Sequence, residues 1–185
     1  MQTEANISKQ SSSLFSEIES PKRSKNKSPR AVRWTSKEYY RMAEIGLFAS
    51  KRVELIEGEI IQMSAMNVAR AAAVILAGDL LRSVFSNTYT TRIQLPLNFG
   101  KNSQPEPDLA VVDGTPRDYR KAHPKTAILV VEIADATIAF DRSQRAVVYA
   151  KNKITDYWIL NLRKRVLEVF RHPVKGLYKE IFLFE

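Results

Sequence analysis

Two short apolar runs, each with an acid at one end, constrain this chain more than any other feature. Leu109–Val112 follows Pro107-Asp108, and Ala127–Val131 leads into Glu132. From Ile128 to Ile133 every residue but Glu132 is apolar and most are branched. A run of that length and composition predicts a strand covered on both faces, as in the middle of an α/β sheet. The link between the runs contains Gly114, Pro116 and Pro124, which predicts a turn-rich connection with a short helix at 117–122. After Glu132 comes Asp141 to Lys151, which reads as a helix with an apolar patch at Val147, Val148 and Tyr149.

The rest of the chain can be read around this centre. Residues 1–33 are rich in serine and lysine and cannot bury enough apolar surface to offset ordering, so a disordered basic tail is expected. The folded domain is expected over 34–185. Thr35-Ser36-Lys37-Glu38 has the pattern of a capping box and predicts a helix over 36–45. Gly58 between the apolar pairs of ELIEGEII predicts a tight turn between two short strands, or one bent strand, with Glu54 just before it. Residues 68–86 read as the longest helix, with Val74, Leu76, Leu80, Leu81 and Val84 or Phe85 at helical spacing and Arg70 on its flank as a surface residue. Thr91–Leu97 alternates and predicts a half-buried strand ending at Pro96. Thr155–Leu162, Val166–Arg171 and Leu177–Phe182 predict further strands, the first two joined by the turn Arg163-Lys164-Arg165. Tyr157, Trp158, Phe170 and Tyr178 are expected to pack the core and the hairpin.

Composition narrows the chemistry. The 185 residues are 44% hydrophobic, enough for one core, and contain no cysteine and only two histidines, His123 and His172. Cysteine-bound zinc, disulfides and histidine-rich metal sites are thereby set aside, and any metal would have to be held by carboxylates. The net charge of +9 suits phosphate-rich partners. The bias is concentrated: Lys22 to Arg33 has six basic residues and no acid, and Asp141 to Glu185 has ten against five acids. A solvated basic face without a partner is the plainer meaning of such a bias. No apolar segment in the first thirty residues resembles a secretory signal, and the longest apolar run, Ala71–Gly78, is too short to span a bilayer. The default expectation is a cytoplasmic protein.

Acids at the ends of two neighbouring strands can share one divalent cation. Magnesium takes oxygen ligands, usually one or two carboxylates with water and phosphate completing the shell, and a cation so held can activate water against a phosphodiester. Asp108 and Glu132 are the candidates. The competing reading is that Asp108 merely opens a strand after a proline and Glu132 is an ordinary strand acid.

The words ELIEGEIIQMS, PEPDLAVV, LVVEIAD and YAKNKITDYWILNLRKRVLEVFR, in that order, resemble the Uma family of restriction-endonuclease-like proteins, in the nuclease superfamily named for its PD…(D/E)xK motif. The resemblance implies a mixed β-sheet flanked by helices, with metal bound at the strand ends. It implies that Asp108, Glu132 and the carbonyl of Ile133 ligate Mg2+ or Mn2+, that Glu54 is the early acid of a helical or turn segment, and that DNA is the substrate. The superfamily lysine belongs two residues after Glu132, where Ala134 stands. The family's substitute, four residues before a tyrosine on the next helix, falls on Arg145, four before Tyr149. Arginine keeps the positive charge but does not give up a proton at neutral pH. The implied function is a Mg2+-dependent DNA endonuclease, slowed by Arg145 and working as a homodimer if both strands are cut. The alternative is a catalytically silent nucleic-acid-binding module of the same fold.

Overall fold

The computed structural model describes residues 29–85 and 88–185. Most of the expected tail, residues 1–28, lies outside that range. Helix α1 (Ser36–Glu44) begins at the expected capping box: the Thr35 hydroxyl accepts the Glu38 amide, and the Glu38 carboxylate accepts the Thr35 amide at 2.8 Å. Strands β1 (Val53–Ile56) and β2 (Glu59–Gln62) form a two-stranded antiparallel hairpin. Its two turn residues, Glu57 and Gly58, both have positive φ, +47° and +82°, the backbone of a type I′ turn. A side chain at Gly58 would meet the Arg33 Cβ at 2.9 Å, so glycine is required for space as well as for conformation.

Helix α2 (Val68–Val84) is followed by strands β3 (Tyr89–Ile93), β4 (Leu109–Asp113) and β5 (Leu129–Ala134). A helical segment then runs from Ile138 to Lys151 as a short α turn (Ile138–Phe140), a π-helical stretch (Asp141–Arg145) and α3 (Ala146–Lys151). Strands β6 (Asp156–Asn161), β7 (Val166–Val174) and β8 (Leu177–Phe184) close the chain. The second sheet has six strands in the order β3-β4-β5-β6-β7-β8, antiparallel throughout except for the parallel pair β5–β6. A parallel pair needs a crossover, and the Ile138–Lys151 segment supplies it.

Both faces are covered at the centre of the sheet, as the apolar run through Glu132 predicts, and all six residues of β5 are buried, whereas β8 at the edge is largely exposed. On one face Ala110, Val112, Val130 and Ala134 pack with Tyr149, Tyr157 and Phe170. On the other, Leu109, Val111, Leu129, Val131 and Ile133 pack with Val74 and Leu81 of α2. Of the four aromatics expected in the core, Tyr157, Phe170 and Tyr178 share the first face, whereas Trp158 packs on the second.

Three expectations need correction. The core face of α2 is Arg70, Val74, Gly78 and Leu81, while Leu76, Leu80 and Val84 are exposed. The helix is apolar nearly all round, so spacing singles out no face. Gly78 decides it, since a Cβ there would come within 3.0 Å of the Ile93 side chain. Strand β3 ends at Ile93 and not at Pro96, because Gln94 turns the chain with a φ of +48°. Glu54 lies in a strand, β1, and not on a helical or turn segment.

Candidate active site

The β4–β5 pairing sets Leu109 against Val131. Continued by one residue, that register puts Asp108 opposite Glu132 on the same face of the sheet. The two are joined through the backbone: the Ile133 amide donates to Asp108 Oδ2 at 2.9 Å, and the Asp108 amide donates to Glu132 Oε2 at 3.4 Å. Glu54 joins them from β1. All three acids are essentially inaccessible, at 0–1% exposure.

Arg145 stands among them. Its Nη2 donates to Glu54 Oε1 at 2.6 Å, and its Nη1 pairs with Glu132 Oε2. Tyr149, four residues on, donates its hydroxyl to Glu132 Oε1 at 2.8 Å. The helical spacing of 145 and 149 therefore brings both onto Glu132. On the π-helical stretch Asp141 and Arg145 are both buried, while Arg142 and Ser143 between them face out. Such π insertions frequently occur at functional positions. Asp141 Oδ1 lies 3.6 Å from Arg145 Nε, and its Oδ2 accepts from the Thr137 hydroxyl at 2.7 Å.

Sequence reasoning missed three contributors. Arg70 is a buried residue and not a surface one: its Nη2 meets both oxygens of Asp108, at 2.9 and 2.8 Å. Gln94 donates to Asp108 Oδ1 at 3.0 Å. Asp141 completes the set. The one available signal was Arg70 itself, a lone cation in an otherwise apolar half-helix.

The electrostatics follow from burial. Four buried carboxylates (Glu54, Asp108, Glu132, Asp141) face two buried guanidiniums (Arg70, Arg145). Burial raises the Glu132 carboxyl to about 8 despite the opposing pull of Arg145. Burial likewise raises Asp141, with Arg145 and the Thr137 hydrogen bond working against it. For Arg145, burial disfavours the charge, but Glu132 and Glu54 outweigh it and hold the guanidinium well above its ordinary value. Burial, then Glu132, keeps the Tyr149 phenol protonated and a donor.

The Glu132 shift has a sign that can be measured. The folded protein retains a proton there that the unfolded chain releases near pH 4.5, so folding is favoured below that pH and loses this contribution as pH rises toward 8. Between pH 6.5 and 8, urea titrations should show unfolding free energy falling with a slope of up to about 1.4 kcal/mol per pH unit. The slope should flatten in Glu132→Gln. A parent protein whose stability rises through that window would contradict the assignment.

The donors suit a hard divalent ion in two respects. They are oxygens, and fully ionised the buried set is two positive charges short of balance. Asp141 Oδ1, buried 3.6 Å from Arg145 Nε, accepts no hydrogen bond. Asp108, Glu132 and the Ile133 carbonyl are the groups that would hold such an ion, and two carboxylates are the number magnesium commonly takes from protein. Among the described residues, no three acids or histidines form a ready cage. Every carboxylate oxygen of Glu54, Asp108 and Glu132 already accepts a hydrogen bond or ion pair, Glu54 Oε2 from the Glu106 amide at 3.0 Å. An ion would therefore share Glu132 with Arg145 or displace it.

A family model described as "Putative restriction endonuclease" (Uma2) matches residues 36–185. Among solved structures, one titled a putative nuclease belonging to DUF820, from Anabaena variabilis ATCC 29413, superposes with a TM-score of 0.57 and 19% identity. The match covers 72% of this chain and 76% of that one, and at this identity it speaks to the fold. No curated protein matches the chain.

Proposed function

Because the chain belongs to this restriction-endonuclease family, matched from residue 36 to residue 185, we propose that it hydrolyses phosphodiester bonds in nucleic acid, with DNA as substrate and Mg2+ or Mn2+ as cofactor. The observation that carries the proposal is the cross-strand juxtaposition of Asp108 and Glu132, locked by the Ile133 amide. The metal, when bound, lowers the pKa of a bound water and polarises the phosphoryl oxygens. Arg70, Gln94 and the Ile133 amide fix the orientation of Asp108, and Tyr149 fixes that of Glu132. Held orientation of this kind is the protein's main contribution to phosphoryl transfer. Arg145 keeps its charge at every working pH, so it can stabilise negative charge on phosphate but cannot accept or deliver a proton. Glu54 holds that guanidinium in place.

The test is cleavage of supercoiled plasmid with Mg2+ or Mn2+, followed on gels. Cleavage by the parent that disappears with chelator, and falls at least about 10²-fold in Asp108→Asn and in Glu132→Gln, is the expected outcome. Cleavage unchanged in both variants would remove these acids from the reaction.

One observation favours a second reading. The Arg145 guanidinium spans Glu54 and Glu132 and engages the oxygens an ion would use. On that reading the fold binds nucleic acid without cutting it, and salt-sensitive binding persists with no cleavage under any metal.

A further inference from the structure

We infer that the turn Arg163-Lys164-Arg165, between β6 and β7, is the phosphate-binding element that seats the nucleic-acid backbone beside Asp108 and Glu132. The inference rests on the nuclease-fold reading above and adds to it the residues that hold the substrate.

Placement comes first. Strands β5 and β6 are parallel and in register, with Ala134 opposite Asn161. The residues that follow each strand therefore emerge side by side, at the end where Glu132 lies. The Leu162 amide donates to the Ala134 carbonyl at 3.0 Å and ties the two exits together. Arg163 Nε then donates to Asp135 Oδ1 at 2.6 Å, and Asn67 Nδ2 donates to Asp135 Oδ2 at 2.7 Å. Asn67 caps α2 by accepting the Arg70 amide at 2.8 Å, and the Arg70 side chain holds Asp108. A continuous polar chain thus links the turn to the buried acids. A cleft of about 70 Å³ opens along it, lined by Asn67, Arg70, Asp135 and Thr137 among others.

Distance is favourable. Asp135 follows the last residue of β5, three residues past Glu132, so their Cα atoms lie at most about 10 Å apart. Nucleic acid rises about 3.4 Å per nucleotide on one strand. A phosphate at Asp108 and Glu132 therefore has neighbours two or three nucleotides away at the turn.

Charge is available and held in position. All three side chains are exposed. Arg163 is engaged with Asp135, whereas Lys164 and Arg165 form no ion pair among the described residues. The nearby acid Glu168 is already held at two points by Arg142, at 2.7 and 2.5 Å. The turn is braced: Asn161, itself buried, accepts the Lys164 amide at 3.2 Å. Arg165 has a φ of +56°, a left-handed backbone that glycine or asparagine adopts more easily.

The experiment measures binding to a fluorescent DNA duplex by anisotropy between 50 and 300 mM salt, with Ca2+ present to suppress cutting. The triple variant Arg163→Ala/Lys164→Ala/Arg165→Ala is compared with Arg120→Ala/Lys121→Ala/Lys125→Ala. The second set removes the same charge at the opposite end of β5, where all three residues are also exposed. The turn variant should lose about tenfold or more in affinity at 100 mM salt, and its log K against log salt slope should fall by about one unit per lost contact. The matched variant should change the slope by less than one unit. Melting temperatures within a few degrees of the parent confirm that both sets fold. Equal effects of the two triples would overturn the inference and leave the nuclease reading standing. A parent protein with no salt-sensitive binding at all would overturn both. Plasmid cleavage by a turn variant that still binds poorly, with KM raised and kcat retained, would support a positioning role.

Discussion

Arg145→Met should melt roughly 10 °C below the parent protein. Arg145 is 1% exposed and is the shared counter-charge of Glu54 and Glu132, with Asp141 close behind. Removing one member of a buried ionic set leaves the others without compensation, which costs about 3–5 kcal/mol. For a domain of this size each kcal/mol shifts the midpoint by about 2–4 °C. Two further readouts separate this cause from a simple packing defect. Methionine fills much of the same volume, so adding Glu54→Gln and Glu132→Gln should recover most of the loss. The deficit should also shrink at pH 5, where carboxyls released from Arg145 take up protons. Thermal scans by circular dichroism at pH 5 and pH 8 measure all of this. A melting point for Arg145→Met within about 2 °C of the parent would mean that the guanidinium is not the keystone of the cluster.

Arg145→Lys should raise metal-dependent cleavage of plasmid by roughly 10²-fold, within the range a positioned proton-transfer group supplies. The guanidinium contacts Glu54 and Glu132 at once through two nitrogens. A lysine ammonium is a single compact charge that can satisfy only part of that geometry, and it can shed its proton when buried. The substitution therefore loosens the hold on Glu132 and restores a group able to orient or deprotonate water. Stability should fall only modestly, because a cation remains between the acids. Initial rates under single-turnover conditions, with the Asp108→Asn, Arg145→Lys double variant as control, make the comparison. Cleavage no faster in Arg145→Lys would indicate that charge alone is required at this position and that arginine already supplies it. Cleavage in the double variant equal to that of Arg145→Lys would show that the gain does not pass through Asp108.

Much of this site could be read directly from the residues. Asp108 and Glu132 are announced by the apolar runs they flank, and period-two alternation with antiparallel pairing puts them on one face. Arg145 and Tyr149 are linked by helical spacing, so the fold that brings one of them to Glu132 brings the other as well. Elements dominated by local terms came out near their predicted limits: the capping box at Thr35, the turn at Glu57-Gly58, the buried β5 and the β6–β7 hairpin. What went astray depended on partners far along the chain. Helix α2 offers apolar residues on every side, so only contact with Ile93 and Leu109 selects Gly78 for the inner face. That choice carries Arg70 inward to Asp108, 38 residues away. Gln94 reaches Asp108 because a left-handed residue ends β3 early.

The amino-acid order by itself determined which segments become buried strands and helices, and that Asp108 and Glu132 stand at the edges of two apolar runs. Those outcomes follow from solvent exclusion and backbone geometry acting over a few residues. Tertiary structure alone decided which cations answer those acids, since a guanidinium on a flexible stem is drawn to whichever buried carboxylate the completed fold brings within reach. That is why Arg145 stands between Glu54 and Glu132, and why Arg70 became the partner of Asp108.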